Sequence, residues 1–174
     1  MVCAMKSSLN RIACLGLALG GVFGMAGSMV AAANLRAAFW ALDAVGLVVA
    51  TSILALSYLR QEKQSVAAGF LVFAIGEGVM LSGTAASLDA SVPAFAAGTA
   101  LWSAALLLTS APKEFALWTR LTGFVAAILF AVTAGQIFWG VALTPITRPL
   151  PMLGYPFLVL TFAGWIWTLL KDRT

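Results

Sequence analysis

Apolar residues in this chain fall into six runs of about 20, separated by short polar breaks, and each run can cross the roughly 30 Å hydrocarbon layer of a bilayer. The runs predict transmembrane helices over about 12–33, 37–59, 66–88, 92–111, 115–143 and 152–170. The breaks carry the expected punctuation. Arg60-Gln-Glu-Lys-Gln-Ser65 is the most polar, and Ser91 with Pro93 reads as the cap and first turn of the fourth helix. Pro112-Lys-Glu-Phe115 reads as the start of a fifth helix lying partly in the interface. Thr144-Pro-Ile-Thr-Arg-Pro-Leu-Pro151 reads as a rigid turn into the sixth. The predicted fold class is an all-α membrane protein, a bundle of six transmembrane helices forming one domain.

Composition agrees with the pattern. A chain of 174 residues that is 62% hydrophobic and 9% charged has too little polar surface to cover a water-soluble globule. Of the ten basic residues, Lys6, Arg11, Arg60, Lys63, Lys113, Arg120, Lys171 and Arg173 fall on one side of such a bundle, and Arg36 and Arg148 on the other. By the positive-inside rule this puts both termini in the cytoplasm, in the inner membrane if the cell is bacterial. Trp40, Trp139 and Tyr155 near the outer ends and Tyr58, Trp118 and Trp167 near the inner ends suit the headgroup levels. Trp165 reads as an anchor beside Trp167. The net charge of +4 is scattered among helix ends, which argues against a nucleic-acid partner.

The first run is rich in small residues. Gly16, Gly20 and Gly24 recur at the four-residue spacing that lets two helix backbones approach closely, so this helix is expected to pack centrally. A basic start, an apolar run and Ala31-Ala32-Ala33 are also the ingredients of a cleaved signal peptide, although the run is longer than the usual h-region. Gly20-Gly21, Gly76-Glu77 and Gly135-Gln136, at steps of 56 and 59 residues, suggest three parallel helical hairpins.

Chemistry is concentrated in a few polar positions. Glu77 lies 11 residues past Val66, about 16 Å into its helix at ~1.5 Å per residue and near the bilayer midplane. An ionised side chain there costs roughly 2.5–3.5 kcal/mol, so the carboxyl must be protonated, paired or wetted, and it is a functional candidate by default. Asp43 lies about 9 Å below the outer surface by the same arithmetic. Ser82, Thr84, Thr99, Ser103, Thr133 and Gln136 extend the polar set from the middle outward. They suggest a cavity open to the outside, walled by the second to fifth helices, with Arg36 and Arg148 at its rim and either of them a partner for Asp43. Trp102 reads as packing, Gln136 as an interhelical hydrogen bond or a ligand contact, and nothing in the sequence brings Asp43 and Glu77 together.

Enzymatic and cofactor templates do not fit. Histidine is absent, which removes the usual haem ligand, the commonest zinc ligand and the commonest general base. Cys3 and Cys14 lack metal or redox spacing and read as an exposed thiol and a small packing residue. No nucleophile elbow or phosphate-binding glycine loop occurs. The sequence therefore predicts no catalysis, no cofactor and no metal site. It predicts a small carrier, channel or solute-binding protein that uses Glu77, with Asp43 and Gln136 in support, for a small solute, a proton or a cation. The alternative is an accessory subunit that docks its glycine-rich first helix against a partner membrane protein or a second copy.

Overall fold

In the computed structural model, which describes the backbone of residues 2–171 and the side chains of residues 8–171, the chain is helical with no strand among the described residues. The six helices are α1 (Val2–Met29), α2 (Ala33–Leu59), α3 (Gln64–Gly83), α4 (Leu88–Ser110), α5 (Leu117–Phe138) and α6 (Gly154–Lys171). The first five contain stretches long and apolar enough to cross a membrane. The sixth has 18 residues, begins Gly154-Tyr155-Pro156 and ends on Lys171. All six turn large apolar side chains outward, among them Val22, Val45, Ile75, Leu107, Ile128 and Leu160. Such an exterior fits an integral membrane protein surrounded by lipid. Cys3, Lys6 and Arg173 lie outside the residues whose side chains are described, and Cys14 is half-buried on α1.

Each helix packs on the next and α1 closes on α6, so the bundle is an up-and-down ring. Two small-residue seams hold it most closely. On α1, a Cβ at Gly16 or Gly20 would overlap the Gly46 carbonyl or Leu47 of α2, and one at Gly24 would stand 2.9 Å from Asp43 Oδ2. Gly27 in the same way faces Trp40. The ridge read from the sequence is thus covered within the chain by α2. On α3, Gly69, Gly76 and Gly83 recur every seven residues and meet α4 at Ala105 and Thr109, at Gly98 and Leu101, and at Ser91 and Ala94. A seven-residue period keeps one seam against a neighbouring helix over several turns. In the proposed third hairpin nothing approaches Gly135 within 4 Å, and the close approach is made instead by Gly164 of α6 against Thr119 of α5.

Aromatic side chains fill the middle and one end of the ring. Phe70 meets Trp165 edge-on at 4.8 Å, Phe73 stacks on Trp102 at 5.5 Å with 11° between planes, and Trp102 meets Phe130 at 5.1 Å. Trp165, expected at the membrane interface, is only 1% exposed at the centre of this cluster, while Trp167 is outward-facing. Helical phase decides this, because residues two apart on a helix point to opposite sides. The buried threonines bond mainly within their own helices, although Thr161 Oγ1 of α6 also reaches Thr122 Oγ1 of α5 at 3.1 Å. Thr51, Thr99, Thr133 and Thr161 each donate to the carbonyl four residues back, which satisfies the hydroxyl locally.

Helix ends depart from the sequence reading where a side chain caps better than proline. Ser87, and not Ser91, caps α4, with its Oγ accepting from Ala90 N at 3.3 Å, so Pro93 lies inside the helix. Residues 112–116 are not helical and α5 starts at Leu117. Arg120 reaches across from α5 and donates from Nε to Ser110 O at 2.8 Å and from its terminal nitrogen to Ala111 O at 2.9 Å. A guanidinium there satisfies carbonyls that the end of α4 leaves open and lies favourably in its dipole. At the end of α2, Lys63 N donates to Tyr58 O and Glu62 N to Leu59 O, both at 3.0 Å, with Glu62 at φ 61°. This is the Schellman arrangement with glutamate in the position that favours glycine.

Candidate functional site

The ring is open at the end where the α1–α2, α3–α4 and α5–α6 connections lie. A cavity of about 340 Å³ enters there, lined by the second half of α1, the first half of α2, the end of α3 with Thr84–Ser87, the start of α4, and the start of α6. Pro145 of the α5–α6 connection is also in its wall, held by Tyr155, whose hydroxyl donates to Pro145 O at 2.9 Å. Trp102 and Phe162 reach it from the aromatic cluster, which fills the ring below.

Glu77 is in this wall and only 1% exposed, with Oε1 bonded to nothing. It is placed by the α3–α4 seam, because Gly76 packs against Gly98 and Leu101 and the next residue then points into the ring. Asp43 enters the same cavity from α2, lying against Gly24 of α1, with Oδ1 also lacking a partner. The two carboxyls open onto the same cavity, and Asp43 is near enough for its charge to act on Glu77. The indole N–H of Trp102 turns toward Glu77 without closing to a hydrogen bond, so Nε1 is unpartnered too. Three buried polar groups thus face one space without satisfying one another. Each such group ordinarily costs about 1–3 kcal/mol if left unmade, so water, a proton or a ligand is needed there.

Of the residues expected at the site, Glu77, Asp43 and Arg36 line the cavity and Gln136 and Arg148 do not. Gln136 is exposed on α5, a helix that contributes nothing to the lining, so the walls are α1 to α4 and α6 in place of the second to fifth helices. Closure of the ring through α6 brings α1 in and turns that face of α5 away. Arg148 is exposed beside Met152 and Leu153 and does not reach Asp43. Arg36 stays at the rim, donating to Val30 O at 3.3 Å with its guanidinium 5.8 Å from the Trp40 ring centre. Among the described residues, the ion pair is Lys63 with Glu114, at the opposite end, and neither cavity carboxyl meets a basic side chain.

The sequence reading missed the pairing of Asp43 with Glu77 and the roles of Tyr155, Trp102 and Gly24. Only Tyr155 carried a usable signal, a phenol in an otherwise apolar turn. No family model, curated protein or solved structure matches the chain.

Proposed function

We propose that the chain is a small, non-enzymatic membrane carrier or solute-binding protein, with six spans, both termini in the cytoplasm and a binding cavity open to the outer side. The observation that carries this reading is Glu77, fully buried, unpartnered and facing a cavity of about 340 Å³ that it shares with Asp43. That volume is at the lower end of the ~300–1,000 Å³ common for small-molecule sites. Support for the orientation is the division of basic residues, eight against two. α6 completes the ring between α5 and α1 and turns Leu160, Trp167 and Leu170 outward, which supports it as the sixth span. The aromatic cluster occupies the path that an open channel would need, so a carrier or binder is favoured over a pore. An accessory subunit docked through the α1 glycines is disfavoured because α2 covers them.

Carboxyl infrared difference spectroscopy in lipid, comparing the protein with Glu77→Gln between about pH 4 and about pH 9, tests the reading. A band that titrates in this window and vanishes in the variant is expected. A Glu77 carboxyl that stays protonated throughout would be a packing device, and the solute-binding reading would be wrong.

A further inference from the structure

The chemistry of the cavity wall narrows what could occupy it. The titratable or charged groups lining it are Arg36 and Asp43 on α2, Glu77 on α3 and Tyr155 on α6, and α1 and α4 contribute none. With both acids ionised the cavity carries one negative charge in excess, two carboxylates against one guanidinium. Arg36 does not neutralise them from within, because its guanidinium is engaged at the mouth with Val30 O and the Trp40 face. Asp43, about two turns along α2 from Arg36, and Glu77 share the cavity wall with Phe95, Trp102, Tyr155 and Phe162. Aromatic faces beside carboxylates recognise an ammonium group, which each attracts, together with an apolar body, which the walls bury. An anion would meet two like charges, and a neutral polar solute would leave them unrelieved. A metal ion fits less well, since no group of three His, Cys, Asp or Glu side chains gathers among the described residues.

We infer that the cavity takes a small organic monocation, an amine or quaternary ammonium on an aromatic or branched aliphatic body, in exchange for one proton held by Asp43 or Glu77. This rests on the solute-binding reading above and names its substrate class. With the cavity empty, the proton restores neutrality, bonded to an oxygen of one of the two carboxyls. With the cation seated, both carboxylates are ionised against the ammonium and the proton leaves to water through the mouth, so charge balances in both states. Trp102 forms the floor, and its free indole N–H donates to Glu77 as that carboxylate becomes charged.

The test uses the purified full-length chain in lipid nanodiscs and three probes of one shape and three charges: 2-phenylethylammonium, 2-phenylethanol and 3-phenylpropanoate. Binding is read from the fluorescence of the cavity tryptophans, and proton release from a pH dye in weak buffer. Saturable binding of the ammonium is expected, at least about tenfold tighter than the alcohol and with about one proton released per cation. Asp43→Asn and Glu77→Gln should each weaken it tenfold or more. Equal binding of the alcohol, preference for the carboxylate, cation binding unchanged in both variants, or binding without proton release would overturn the proposal. The charge series on the unaltered protein decides the matter even if a variant misfolds. If no probe binds, the substrate class is wrong; the infrared titration of Glu77 then separates the cases, since a titrating band leaves the solute-binding reading standing and a fixed one removes both.

Discussion

Two glycines flank Glu77, and their surroundings predict opposite responses to the same substitution. A Cβ at Gly76 would lie 3.1 Å from Leu101 Cβ and 3.2 Å from both Gly98 O and Trp102 Cδ1, whereas nothing lies within 4 Å of one at Gly78. Gly76→Val places two further carbons beyond a Cβ that already touches backbone, so α3 and α4 must separate. Overpacking of this kind costs about 1–3 kcal/mol. The better helix propensity of valine returns only a few tenths of a kcal/mol. Gly78→Val receives the propensity gain without the clash. The two variants should therefore differ by about 1–3 kcal/mol, and a difference of one or two is already a factor of roughly 5–30 in the folding equilibrium. Reversible unfolding of both variants and the unaltered protein in the same detergent, followed by circular dichroism, measures the difference. Equal destabilisation, or a greater loss in Gly78→Val, would refute the assignment of the α3–α4 seam.

Two further outcomes follow from the geometry. Glu62 occupies a left-handed conformation that costs a non-glycine residue about 1–2 kcal/mol, partly offset in glycine by chain entropy, so Glu62→Gly should stabilise the protein by about 0.5–1 kcal/mol in the same assay. With Cys3 and Cys14 replaced by serine, Ser87→Cys in the cavity wall should react with a membrane-impermeant maleimide added outside intact cells, and Gln64→Cys only after the membrane is opened; the reverse pattern would invert the proposed topology.

Much of the helix layout was legible in the sequence because the strongest constraint on a lipid-embedded chain acts along the chain itself. Apolar runs must be about 20 residues long to match a bilayer and must close their own backbone hydrogen bonds, so length and hydropathy locate them without knowledge of their neighbours. Boundaries were less legible. The third helix stops at Gly83, short of the expected Leu88, and the fifth ends at Phe138, where Gly140 at φ 96° turns the chain. Hydropathy is nearly blind to such ends, since capping by Ser87 or Arg120 depends on a single side chain in the right place.

The candidate site divides in the same way. Glu77 stood out alone because a carboxyl in an apolar run is costly wherever the helix points, and Asp43 stood out for a related reason. Their meeting was not legible, and neither was the exclusion of Gln136 and Arg148. Both depend on the order of helices around the ring and on the rotation of each about its axis. Composition and run length determine that this chain has several helices suited to lipid and an acid buried among them. Tertiary structure decides the rest, because the α1–α2 and α3–α4 glycine seams fix those rotations, and so turn Asp43 and Glu77 into one cavity while Gln136 faces away.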